Sequence, residues 1–151
     1  MRLTLVDLAP RHLELTRTWR NHPASRAWFG DAREITPEAQ RAWFAGRIGD
    51  DSDRIYILED GGRPVAQLSV YRIDGKTAEV GRFLVDPACR RHGYFSKGFA
   101  LLADRMRSMG IVHTHLVVKK ANAGAIAAYV RCGFRAVGDA GDDLRMELDL
   151  K

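Results

Sequence analysis

Residues 78–95, AEVGRFLVDPACRRHGYF, decide how this chain folds. The opening AEVGRFLV reads as a β-strand, and Asp86-Pro87 stops it. From Tyr94 onward Phe95, Phe99, Leu102, Met106 and Met109 recur at helical spacing. A helix that starts directly behind a strand exposes unpaired backbone N–H groups and the positive end of its dipole. A glycine-containing turn at that junction therefore suits phosphate oxygens. Arg90, Arg91 and His92 add positive charge to this turn.

Working outward, residues 54–59, 64–71 and 77–85 are β-rich runs separated by DGG and IDGK turns, an antiparallel meander. Nearer the N-terminus, residues 2–6 alternate like a strand, and Pro10 opens a helix running through Leu15 and Trp19 to a break at Pro23. A short helix is expected over residues 25–29. Thr36, Pro37 and Glu38 supply an N-cap, a first-turn proline and a first-turn acid for another helix, with Phe44 and Ile48 on its apolar stripe. Downstream the pattern gives a helix over residues 94–109 ended by Gly110, a strand over 112–118, a helix over 123–132, a strand over 133–137, a GDAGDD turn and a strand over 144–148. Strand 77–85 joined through a helix to strand 112–118 makes one parallel crossover in an otherwise antiparallel sheet, an α+β arrangement.

The chain has 151 residues, enough for a single domain over 1–151 with its own core. No apolar run approaches the roughly 18 residues needed to span a bilayer, and the N-terminus lacks the apolar region of a signal peptide. No membrane partner and a cytoplasmic location are expected. Cys89 and Cys132 form neither a CxxC pair nor a Cys/His cluster, so no disulfide and no metal site is expected. A net charge of +5 and a pI of 9.6 favour an anionic ligand. Basic residues are interleaved with acids rather than striped with aromatics, which argues against nucleic acid.

A second stretch, residues 122–134, NAGAIAAYVRCGF, lies behind the later strand. Together the two segments carry a resemblance. DPACRRHGYF resembles the pyrophosphate-binding motif of the GNAT superfamily of N-acetyltransferases, written Q/RxxGxG/A, with Arg90 and Gly93 at its first and fourth positions. NAGAIAAYVRCGF is similar to the NxxAxxxYxxxGF segment of that superfamily through Asn122, Ala125, Tyr129, Gly133 and Phe134. WRNHP, residues 19–23, looks like the ribosomal-protein and amino-sugar branches. In two places the motif departs from pattern: Phe95 stands where Gly or Ala is usual, and Arg91 where a second Gly is common. Small residues there let backbone approach the pyrophosphate, so Phe95 is expected to turn into the core.

The resemblance implies a GNAT-like α+β fold. Its central sheet is mixed but mostly antiparallel, with roughly six to seven strands flanked by helices, and a splayed parallel pair forms the acetyl-CoA site. It further implies that the backbone of Phe83, Leu84 and Val85 pairs with pantetheine, with the Leu84 N–H polarising the thioester carbonyl. Arg90, Arg91, His92, Gly93, Tyr94 and Phe95 would then surround the pyrophosphate. Asn122 would cap the following helix, hydrogen-bond the pantetheine arm, or do both. Tyr129 is either a half-buried core tyrosine or the donor to the departing sulfur.

An attacking amine must first lose a proton. Glu79 is the first choice of base, against a plain surface or ion-paired role, and His113 and His115 share a strand face suited to proton relay. Arg20, Asn21 and His22, with Trp28, Tyr71 and His115, are candidates for the acceptor pocket, although Trp19 in the core and Asn21 as a cap would also explain that segment. The activity implied is direct acetyl transfer from acetyl-CoA to a primary amine in a ternary complex, without a metal or a covalent nucleophile. The acceptor reads as an amino-sugar nucleotide, with a protein N-terminal amine as the alternative. A non-catalytic acyl-CoA sensor is the reading from another class, and a homodimer is left open.

Overall fold

The computed structural model describes residues 1–29 and 33–150. The meander forms as its turns dictate: β2 (Asp53–Asp60), β3 (Arg63–Asp74) and β4 (Thr77–Val85) pair antiparallel, and β1 (Leu3–Asp7) adds to the outer edge of β2. Strand β4 then connects through α4 (Tyr94–Ser108) to β5 (His113–Lys119), which lies parallel to it. Helix α5 (Ala123–Arg131) leads into the hairpin of β6 (Arg135–Ala140) and β7 (Asp143–Asp149). The result is a mixed α+β structure with a seven-stranded sheet in the order β1-β2-β3-β4-β5-β7-β6, antiparallel except for the β4/β5 pair.

The middle strands bury residues on both faces, because each face is covered. Phe99, Leu102 and Met106 of α4 pack with Leu58, Leu68, Val70, Leu116 and Met146 in the larger core. A Cβ on Gly98 would stand 2.9 Å from Leu58 Cδ2, so a glycine lets α4 lie this close to the sheet. On the opposite face α1 (Leu13–Asn21) and α3 (Pro37–Ala45) close a smaller cluster of Leu8, Leu13 and Ile57 with Trp43 and Phe44. Among the described residues no helix is long and apolar enough to cross a membrane.

Three local expectations need correction. The short helix expected over residues 25–29 is α2 (Pro23–Arg26): Pro23 occupies its first turn, and His22 Nδ1 accepts from the Ala24 N–H at 3.1 Å as its cap. Phe44 does pack inward, but Ile48 lies beyond the end of α3 at Ala45 and is 65% exposed. The GDAGDD segment is mostly strand: β6 continues through Ala140, and the reversal is confined to Gly141 and Asp142. Strand β6 is the outer edge of the sheet and exposed along its whole length.

His12 links this fold to pH. It is buried, its Nδ1 accepts the Ala9 N–H at 2.9 Å, and its Nε2 lies 4.0 Å from Glu59 Oε2. Burial, then the Arg11 charge, holds its pKa below the ordinary 6.5. The unfolded chain thus binds a proton at a pH where the folded chain does not, so the contribution of His12 to stability is full above about pH 6.5 and is lost as pH falls below it. Thermal denaturation followed from about pH 7 to about pH 5 should show a falling Tm, with a shallower slope in His12→Gln.

Candidate active site between the diverging strands

The parallel pair holds together for three residue pairs, Thr77↔His113, Ala78↔Thr114 and Glu79↔His115. Thr114 Oγ1 adds a buried hydrogen bond to the Ala78 carbonyl at 2.9 Å. Past Glu79 the strands diverge, and the β4 edge that faces β5 has no strand partner. On its other edge β4 bulges: Leu84 pairs with Gln67 and Gly81 with Ser69, leaving Arg82 and Phe83 opposite Leu68. Arg82 takes a left-handed φ of 53°, which costs a non-glycine residue about 1–2 kcal/mol. Gln67 Nε2 donates to its carbonyl at 3.0 Å. A cavity of about 850 Å³ opens at the divergence, and Phe83, Leu84, Val85, Asn122 and Tyr129 line it.

The turn before α4 closes one end of this cavity. Arg91 and Gly93 hold φ of 67° and 76°, and Gly93 caps α4 with no side chain to accept from its first amides. The Lys97 N–H is the one that reaches back to the Gly93 carbonyl, so the amides of residues 94–96 precede the helical ladder, an arrangement suited to an anion. Arg90, Arg91, Gly93, Tyr94 and Phe95 line the cavity here. Arg90 Nη2 also donates to Ser25 Oγ at 3.0 Å. The other expected residue, His92, donates Nδ1 to the Cys89 carbonyl at 3.0 Å and does not line the cavity. The Tyr94 hydroxyl is drawn away to Asp60 Oδ2 at 2.6 Å. Phe95 turns inward, its ring centroid 5.0 Å from Phe83 and 5.5 Å from Tyr129.

Tyr129 completes this aromatic cluster. Burial, then the nearby Cys132, pushes its phenol up to about 12, so the hydroxyl keeps its proton and can donate. Asn122 Oδ1 accepts the Ala125 N–H at 3.3 Å, capping α5 while the residue also borders the cavity.

Register gathers a polar row where the strands part; of its members Tyr71 lines the cavity, while Glu79 and His115 do not. Tyr71 stands opposite Glu79, and Glu79 opposite His115. Glu79 is 8% exposed and is held by the Tyr71 hydroxyl at 3.1 Å, by the Arg72 guanidinium and by His115 Nε2 at 3.4 Å. Burial, then Arg145, lowers the pKa of His115 below 6.5, which leaves a neutral imidazole at neutral pH. Burial, then Glu79, raises the Tyr71 phenol. His113 is not part of this group; it bonds Asp149 at 2.8 Å and Glu147 at 3.2 Å.

The polar residues of WRNHP make contacts within the chain. Arg20 is buried with its guanidinium 4.0 Å from the Phe29 ring centre. Asn21 exchanges two hydrogen bonds with the Ile35 backbone, and His22 caps α2. None of the three lines the cavity, whereas Trp28 and Tyr71 do. Sequence reasoning missed Arg82, which lines the cavity, and Asp53, its bidentate partner at 2.7 and 3.0 Å. The available signal was a charged residue inside the apolar run VGRFLV. Among the described residues no cluster of His, Cys, Asp or Glu could hold a metal ion.

Comparison with known proteins bears on the family and the fold. The profile of the Acetyltransferase (GNAT) family matches residues 12–134. No curated protein compared with the chain matches it. Among solved structures, a spermidine N-acetyltransferase from Vibrio cholerae in complex with CoA and spermine superposes with a TM-score of 0.88 at 19% identity, over 99% of this chain and 96% of that one. A domain from Methanocaldococcus jannaschii DSM 2661 gives 0.85 at 17%, over 98% of each chain. A candidate phosphinothricin N-acetyltransferase gives 0.81 at 25%, over 99% of each.

One close contact in the polar row is open to a direct test. A Cβ on Gly81 would lie 2.4 Å from the Tyr71 hydroxyl oxygen and 3.2 Å from Cζ. Gly81→Ala should therefore cost about 1–3 kcal/mol in urea denaturation by overpacking. Combining it with Tyr71→Phe, which removes the nearest atom, should recover part of that loss rather than add to it.

Proposed function

Since this chain belongs to the acetyltransferase (GNAT) family, we propose that it moves the acetyl group of acetyl-CoA onto a small primary amine by direct transfer in a ternary complex. The observation that carries the reading is the meeting, in one cavity, of an unpaired strand edge, an anion-suited helix start and the half-buried Tyr129. Acetyl-CoA would supply the activated thioester.

The residues take the following roles. The open backbone of Phe83, Leu84 and Val85 pairs with the amide-bearing pantetheine arm, and an N–H beside the bulge stabilises the charge that develops on the thioester oxygen. Arg90, Arg91 and the first amides of α4 hold the pyrophosphate. Glu79 takes the ammonium proton of the acceptor, since an ammonium has no lone pair for attack. The new C–N bond forms as the C–S bond breaks, and the Tyr129 hydroxyl hydrogen-bonds the leaving thiolate. Complete protonation by Tyr129 is disfavoured: with a phenol near 12 against a thiol near ~8.5, the transfer is uphill by about 5 kcal/mol.

The acceptor side supports a small amine. Arg26, which an amino-sugar nucleotide would recruit with Arg20 for its diphosphate, is paired with Glu34 at 2.9 Å, and Arg20 is buried against Phe29. Lys119 and Arg131 line the cavity with the two turn arginines and the carboxylate of Asp143, while the Arg82 charge, also at its wall, is taken up by Asp53. That balance favours an amine whose remainder is neutral or anionic over a polycation. Thiol release from acetyl-CoA across small amines, amino sugars and their nucleotides, peptides and polyamines tests this. Highest kcat/KM for a small amine with a carboxylate or neutral body is expected. Preference for a nucleotide, a peptide N-terminus or a polyamine would overturn the acceptor assignment, and CoA binding without thiol release throughout would make the chain an acyl-CoA sensor.

Two variants test the chemistry. Tyr129→Phe should lower kcat about ten- to hundredfold with little change in acetyl-CoA affinity, the worth of one hydrogen bond to a charged group. Glu79→Gln should lower the rate by about 10² to 10⁴, most strongly below the pKa of the amine. A pH profile superimposable on that of the parent would remove Glu79 from the mechanism.

A further inference from the structure

We propose that Asp53 and Arg82 are positioning residues for the transfer step, a clamp that holds the β4 bulge in the shape the open strand edge requires. The inference deepens the transferase reading and rests on it. Arg82 is one of three non-glycine residues with left-handed backbone among the described residues. It stands at the residue where the β4/β3 register shifts, within the stretch of β4 that β5 has left unpaired. A backbone in that conformation persists only where its surroundings over-determine it.

Here they do. Both terminal guanidinium nitrogens of Arg82 meet both carboxylate oxygens of Asp53, at 2.7 and 3.0 Å, and both side chains are largely shielded from water. Arg47 Nε, 3.4 Å from Asp53 Oδ2, supports the carboxylate from beyond α3. The guanidinium lies 4.2 Å from the Tyr71 ring centre and 5.6 Å from that of Trp43, while Gln67 Nε2 holds the Arg82 carbonyl. Side chains from β2, β3 and α3 thus converge on one residue. Tyr71, under that guanidinium, also donates to Glu79, so the same clamp orders a partner of the proposed base. No hydrogen bond joins Arg82 or Asp53 to Glu79 or Tyr129; the pair acts through the backbone of Phe83 and Leu84 and through Tyr71.

Asp53→Ala and Arg82→Ala should each lower kcat by about tenfold to a hundredfold, as expected for misplaced reacting groups, a larger factor than the accompanying loss of CoA affinity, to which the same strand edge contributes. The double variant should be no slower than the slower single, because both remove one interaction. Arg82→Lys should not rescue, since an ammonium cannot span both oxygens. A loss of kcat that multiplies in the double variant, that Arg82→Lys repairs, or that vanishes at a temperature well below each variant's Tm would overturn the proposal. Amide hydrogen exchange at residues 82–84 reads the clamp without turnover: Asp53→Ala should accelerate it about tenfold or more while α4 is unchanged, and equal exchange overturns the clamp. A parent that acetylates no amine defeats the transferase reading instead, and exchange then still decides whether the pair holds the bulge.

Discussion

Everything in this structure turns on two parallel strands that part after three residue pairs. A strand in the middle of a sheet normally spends its backbone groups on both neighbours, and a buried N–H or C=O left without a partner costs about 1–3 kcal/mol. Along residues 80–85 the side of β4 facing β5 has no strand partner among the described residues, and this edge borders the cavity. Such an edge has the geometry with which an extended, amide-bearing chain can pair, as an added strand would. The cavity exists because the two strands fail to zip, and α4 and α5 then fill the wedge from one face.

The two faces of that wedge carry different chemistry. Toward the α4 and α5 side lie the basic turn and a ring cluster of Phe83, Phe95 and Tyr129, apolar enough to raise the Tyr129 phenol. Toward the other face, register sets Asp53, Tyr71, Glu79 and His115 side by side on four neighbouring strands. Directly opposed residues share a face of a sheet, so four side chains scattered over more than sixty positions become one polar row. The polar row and the ring cluster meet where the strands part, one on each face of the sheet.

Much of this was legible in the chain because it is encoded locally. Asn122 caps α5 as an Asn ahead of an apolar helix should, Thr36 and Pro37 start α3, and Phe95 follows the helical period into the core despite its place in the turn. What was not legible depends on long-range register. Glu79 and His115 are neighbours only because a parallel crossover brings them level, and Asp53 finds Arg82 across two strands. The WRNHP segment is a further case: the contacts its polar residues make with Ile35 and Phe29 are set by how the chain folds back.

The outer strand β6 has its own implication. An exposed edge offers unpaired backbone to any other chain and is a common seed of aggregation. Here that edge is blunted: its register shifts between Ala136 and Gly138, interrupting the regular spacing a docking strand would need, and Asp139 carries an ion pair to Lys120 at 2.8 Å. Arg135 adds a further charge. The one sheet margin that lies wholly in water is thus also one that resists templating, which bears on how concentrated this protein can be before it self-associates.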